Sequence, residues 1–179
     1  PTGLRTGWIE AKTSPATGKD AAVKFSTRED IEVPAEAVFA AVSDFAAFER
    51  AALRHGAEVA RTDLAAMPGP GMTWSVRFRA RGRMRRVICT LDHFDPPNAL
   101  VCGLDGGSFS GALTVNLVAL SRGRTRMAVQ LELRPQTIAA RLLIQTARLN
   151  RGGWTRRFEE RVQKFAAGIE LRQAQRRGG

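Results

Sequence analysis

The sequence predicts an α+β domain in which an antiparallel sheet is covered on one face by a long C-terminal helix, with two short helices after the first strand. Three observations carry that expectation. From Met72 to Arg134 the chain alternates apolar and polar residues in successive segments separated by short turn signals, and short connections between neighbouring strands make an antiparallel meander. Only the stretch Ile138–Ile169 has an apolar stripe of helical period long enough to cover such a sheet. A length of 179 residues with 44% hydrophobic and 25% charged composition is that of one ordinary globular domain.

Residues 1–22 are rich in Gly, Ser, Thr, Pro and Lys, with Trp8 as their one aromatic, and read as a flexible lead-in, either natural or left by cloning. They hold no apolar core of a secretory signal as they stand. Folded patterning starts at Lys24. To Val33 it sets Phe25, Thr27, Glu29, Ile31 and Val33 on one face and Lys24, Ser26, Arg28, Asp30 and Glu32 on the other, which is a half-buried strand. Pro34 then opens a helix, where its missing N–H costs nothing, and Glu36 suits the positive helix end. Val38, Val42, Phe45 and Phe48 recur at helical spacing, with Ser43-Asp44 as a break and Asp44 as the cap of a second helix. A short strand follows over Glu58–Asp63, then a loop at Met67-Pro68-Gly69-Pro70-Gly71.

Five strands follow: Met72–Ala80, Arg83–Phe94, Ala99–Leu104, Ser108–Leu120 and Arg124–Arg134. Their turns are Gly82, Asp95-Pro96-Pro97-Asn98, Asp105-Gly106-Gly107 and Ser121-Arg122-Gly123. The last strand is the plainest, with Thr125, Met127, Val129, Leu131 and Leu133 alternating against Arg124, Arg126, Gln130, Glu132 and Arg134. Beyond Pro135 a helical period runs through Ile138, Leu142, Gln145 and Leu149, then through Trp154, Phe158, Val162, Phe165 and Ile169. Gly152-Gly153 should interrupt it, because two adjacent glycines cost about 2 kcal/mol of helix propensity. Residues 23–173 thus form one domain, and the polar tail 174–179 should fray.

The formal charge is +11, and of 28 basic residues only Lys12, Lys19, Lys24 and Lys164 are lysines. Arg77, Arg79, Arg81, Arg83, Arg85 and Arg86 crowd one hairpin. Arg141, Arg148, Arg151, Arg156, Arg157, Arg161 and Lys164 follow the polar side of the last helix. The plainest reading is a solvated face. A second is attraction to an anionic membrane, worth about 1 kcal/mol per basic residue close to the surface. Nucleic acid is disfavoured, since the arginines come without helix-turn-helix, RNP or zinc-finger patterns and without interleaved aromatics. No apolar run approaches the ~20 residues of a membrane-spanning helix. Two cysteines, Cys89 and Cys102, allow at most one bridge and suit a reducing compartment. The expected location is the cytoplasm, with peripheral contact at the inner face of the membrane through the arginines.

Few residues suggest chemistry. Alternation puts His93 on the face of Val87, Cys89 and Leu91, where it serves as a hydrogen-bonded structural group or an acid/base. Glu29 is the odd carboxylate on the inner face of the first strand; it pairs with an arginine or anchors the polar end of a ligand. His55 belongs at the surface. Asp92, Asp95 and Asp105 with His93 match no metal spacing, Gly18-Lys19 is no phosphate loop, and "GGSFSG" lacks the setting of a nucleophile elbow. Neither a metal nor a cofactor is implied.

The order of elements, and the segments FSTREDIEVPAEAVFAAVSDFAAFE, RARGRMRRVICTLDHFDPPNAL and GALTVNLVALSRGRTRMAVQLEL with the closing amphipathic helix, make the chain resemble the START-like (SRPBCC) superfamily, within it the polyketide cyclase/dehydrase and lipid-transport branch. The resemblance spans about Lys24 to Gln173. It implies a helix-grip fold, in which a curved sheet wraps the C-terminal helix and leaves an elongated apolar cavity. The leading expectation is binding or transport of a small hydrophobic ligand (a lipid, quinone or polyketide-like compound). Its contacts would come from Trp74, Phe78, Leu91, His93, Leu113, Val115, Met127, Val129, Leu131, Leu142 and Trp154. A cyclase/dehydrase-type enzyme with His93 as acid/base and Glu29 or Arg85 beside it is the alternative, weakened by the absence of tyrosine. A ligand-free interaction module, its cavity filled by its own side chains, is the third reading.

Overall fold

The structure, a computed structural model, describes residues 22–80, 82–149 and 151–178, the side chains of 146–149 and 151 excepted. The lead-in expected before Lys24 lies outside the described residues up to residue 21. Strand β1 (Val23–Ile31) is followed by helices α1 (Ala35–Val42) and α2 (Phe45–Arg54), then by β2 (Glu58–Arg61), β3 (Thr73–Ala80), β4 (Arg83–Asp95), β5 (Ala99–Asp105), β6 (Phe109–Ser121) and β7 (Arg124–Pro135). Helices α3 (Ile138–Leu149) and α4 (Arg151–Arg177) complete the chain. The strands form one antiparallel sheet in the order β1-β7-β6-β5-β4-β3-β2.

The local signals act as their chemistry requires. Pro34 stands immediately before α1, and its carbonyl accepts from the N–H of Val38 (3.0 Å). Asp44 caps α2: its Oδ1 accepts from the Ala47 N–H at 2.9 Å. The turn at Gly82 takes φ 75°, which glycine adopts without steric cost. Two helical expectations are corrected. Gly152 and Gly153 lie within the first turn of α4, so the boundary between the two helices, α3 ending at Leu149 and α4 beginning at Arg151, falls just before the glycines and not at them. The helix also continues through the polar tail to Arg177, where Arg176 and Arg177 suit the negative helix end.

Helix α4 runs along β1. The Phe158 ring lies 6.0 Å from that of Phe25, and Glu170 Oε1 accepts from the Glu32 N–H at 2.8 Å. One core joins α1 (Val38, Phe39, Val42), one face of the sheet (Ile31, Leu91, Leu100, Leu117, Met127 among others) and α4 (Ala166, Ile169). Each large apolar side chain buried there stabilises the fold by about 1.5–3 kcal/mol.

Gly111 marks a close approach in the sheet. A Cβ there would collide with the Glu132 carbonyl oxygen and sit 3.0 Å from Leu133 Cδ2. Backbone cannot yield as a flexible side chain does. Gly111→Ala is therefore expected to cost about 1–3 kcal/mol, visible in thermal melts as a fall of about 3–10 °C; an unchanged melt would mean the strands part freely there.

Surface ion pairs tie β1 to β7. Asp30 accepts from Arg126 Nε at 2.7 Å and faces Arg124 at 3.3 Å, while Lys24 lies 3.1 Å from Glu132. The Arg126 hydrogen bond holds the Asp30 carboxyl below its ordinary 3.8. Burial raises Glu132, but the hydrogen bonds from Arg134 and Lys24 outweigh it and leave its pKa lowered. A carboxylate with a depressed folded-state pKa contributes stability above its unfolded pKa and loses it as pH falls through the folded value. The urea midpoint is thus expected to fall between about pH 5 and about pH 3, and Arg126→Ala to flatten part of that fall. An unaltered slope in the variant would remove Asp30 from the account.

Candidate functional site

The inner face of the sheet is read from the register. Phe25 pairs with Leu131, Leu131 with Leu113, Leu113 with Cys102 and Cys102 with Leu91. The next row holds Val23, Leu133, Gly111, Leu104, Cys89 and Trp74. Beyond these, Val87 pairs with Val76, and Phe78 with Arg85. Trp74, Phe78, Leu91, Leu113, Val115, Met127, Val129 and Leu131 therefore share one face, as alternation predicts.

They do not share one environment. Met127, Val129, Val115 and Leu91 are buried in the core. Trp74 is also buried, its Nε1–H donating to Glu49 Oε1 at 2.6 Å and its ring 5.1 Å from Phe45. Phe78, Leu113 and Leu131 are only half-buried, as are Phe25, Val76, Val87, Cys89, Cys102, Leu104 and Leu133 around them. The inner face thus passes from a close-packed floor beside α1 and α2 to a partly open apolar wall. Leu142 is 59% exposed on α3 and Trp154 49% exposed on α4, so neither is enclosed against that wall.

His93 requires a correction. The β4–β5 register shifts between Leu91 and His93, so Leu91 faces Cys102 but His93 faces Val101. Neighbouring residues of β5 point to opposite faces, and His93 accordingly shares the outer face with Val101. The extra residue of a β-bulge causes this: one strand gains a residue and the alternation beyond it inverts. Phe94 takes the inner position instead, 5.2 Å from Phe39 and 6.4 Å from Phe45. The His93 Nε2 is buried without a hydrogen-bond partner among the described residues.

Glu29 lies on the inner face opposite Met127, half-buried, and among the described residues no cation pairs with it. The hydroxyl of Thr125 nearby is already committed to the Val33 carbonyl at 2.7 Å. Arg85 stands exposed toward the hairpin end, opposite Phe78, and His55 is exposed. Both cysteines are free thiols on the inner face. Burial, with Cys89 and Asp92 adding to it, pushes the Cys102 thiol up to about 12, and burial raises Cys89 as well. Neither is a poised nucleophile. Among the described residues no three His, Cys, Asp or Glu side chains converge on a metal position, and no helix is long and apolar enough to cross a membrane. Alternation already placed Phe25, Leu113, Leu131 and Leu133 on this face; Phe25, Cys102, Leu104 and Leu133 were left out of the expected ligand contacts because pairing across strands, which assembles the rows, is not written in any one strand.

A family model described as polyketide cyclase / dehydrase and lipid transport matches residues 22–170. No curated protein matches the chain in sequence. Among solved structures, a protein of unknown function from Staphylococcus aureus superposes with a TM-score of 0.59 at 12% identity, covering 88% of this chain and 98% of its own. The ZhuI aromatase/cyclase from Streptomyces sp. R1128 superposes with a TM-score of 0.58 at 12% identity, covering 89% and 97%. A protein from Thermus thermophilus gives 0.56 at 18% identity, covering 84% and 96%. At these identities the likeness is one of fold: a sheet gripping a C-terminal helix.

Proposed function

The chain belongs to the polyketide cyclase/dehydrase and lipid-transport family, and from that premise we propose that it binds and carries a small hydrophobic ligand on the half-open end of its inner face. The observation that supports this reading is the row of half-buried apolar side chains, Phe25, Leu131, Leu113 and Cys102. A close-packed interior leaves few voids larger than a water molecule, whereas these side chains stay partly uncovered. A lipid, quinone or polyketide-like compound would gain about 25 cal/mol per Å² of apolar area covered, before association costs. Glu29, on the same face four residues along β1 from Phe25, would orient the polar end of a ligand long enough to reach it.

The enzymatic alternative gains nothing from His93, which lies on the outer face. The test is native mass spectrometry of the protein purified without detergent, then organic extraction of whatever is bound. A reproducible one-to-one adduct of apolar chemistry is expected. Protein that stays unliganded after incubation with a panel of quinones, phospholipids and polyketide-like aromatics would refute the carrier reading and favour a self-filled interaction module.

A further inference from the structure

A second concavity lies away from the inner face, where α1 and α2 meet the C-terminal end of α4. It is a groove of about 470 Å³, within the roughly 300–1,000 Å³ of small-molecule sites. Its floor is built of small side chains, Ala37, Ala40 and Ala41 from α1 with Ala47 and Ala51 from α2. Phe48, Phe165 and Ile169 wall it, the two phenyl rings lying 5.7 Å apart and Phe48 remaining 44% exposed. Arg50, Arg172 and Arg176 stand at its rim, all exposed and, among the described residues, without an acidic partner. Asp44, the one carboxylate in the lining, is already engaged as the α2 cap through Ala47 N–H.

We propose that this groove binds a free single-chain anionic amphiphile, its alkyl chain on the alanine floor and its carboxylate or comparable anion among Arg50, Arg172 and Arg176. The charge pattern favours that occupant. Arg172 and Arg176 are four residues apart on one helix face, where like charges repel, and Arg50 adds a third from α2. An anion at the rim relieves the repulsion, and guanidinium forks bind carboxylates in bidentate fashion. This site is independent of the inner-face ligand.

The experiment is a titration of the full chain with sodium dodecanoate below its micelle concentration, followed by backbone amide NMR, with dodecan-1-ol as the uncharged control. Saturable shifts at Ala37, Ala41, Ala47 and Ala51 are expected with dodecanoate and not with dodecanol. The triple variant Arg50→Gln, Arg172→Gln, Arg176→Gln should weaken dodecanoate binding at least tenfold. It should leave unchanged the binding of N-phenyl-1-naphthylamine, a neutral apolar probe for the inner face. Shifts confined to inner-face residues such as Leu113 and Leu131, or equal affinity in the triple variant, would overturn the proposal. So would groove shifts on concentrating the protein alone, which would make the occupant a second copy, or shifts with phosphatidylglycerol vesicles but not with dodecanoate, which would make it a membrane.

Discussion

Phe94→Ala is expected to lower the melting temperature by about 6–12 °C, while His93→Ala leaves it within a few degrees. The contrast follows from the register shift beyond Leu91. Phe94 packs between Phe39 of α1 and Phe45 of α2, so truncation forfeits two aromatic contacts and opens space where the helices meet the sheet. A loss of about 3 kcal/mol is in order for a half-buried phenylalanine, at the low end of phenylalanine truncations. At His93 the substitution removes a ring whose Nε2 has no partner among the described residues, so the packing lost is offset by relief of an unsatisfied polar group. Simple alternation along β4 makes the opposite forecast. Circular-dichroism melts of the two variants decide: a large loss at His93 with little at Phe94 would mean the strand runs without the bulge.

Leu131→Trp should abolish binding of N-phenyl-1-naphthylamine to the inner face, lowering affinity by tenfold or more, with the fold intact. Leu131 lies half-buried between Phe25 and Leu113, and an indole there covers the apolar wall that a ligand needs. Because the wall is not close-packed, the larger ring should cost little stability, unlike insertion into a full core, which costs about 1–3 kcal/mol. Leu120→Trp, at an exposed position of β6, is the control and should bind as the parent does. Fluorescence titration reads both. Undiminished binding in Leu131→Trp would place the ligand elsewhere.

Much of the fold was legible because each strand carries its own period. Arg124–Arg134 alternates without a break, and Pro34, Asp44 and Gly82 are local devices whose action needs no partner. The wall of the candidate site was legible to the same degree, since Leu113 and Leu131 follow from alternation alone. Two things were not. The inversion at His93 and Phe94 needs an extra residue accommodated against β5, and nothing within Leu91-Asp92-His93-Phe94 announces it, because the choice is made by Phe39 and Phe45 accepting an aromatic side chain. The division of the inner face into a packed floor and a half-open wall was also invisible. It depends on where α1, α2 and α4 come to rest, and apolar spacing says which face is covered without saying how tightly. Leu142 and Trp154 were placed on that wall for this reason, yet both are largely exposed.

The position of β1 at the sheet edge beside β7 has a consequence for synthesis. Val23 pairs with Leu133 and Ile31 with Thr125, so β1 leaves the ribosome about a hundred residues before its partner strand. At translation speeds of about 5–20 residues per second that is an interval of roughly 5–20 s. Throughout it β1 presents Phe25 and Ile31 with nothing to bond to, while β3 to β6 can already pair by short-range hairpins. The meander is thus a local, early unit, and closing β1 onto it is a late, long-range step of the kind that slows folding. A nascent chain stalled before Arg124 is accordingly a natural substrate for a chaperone that holds extended apolar segments.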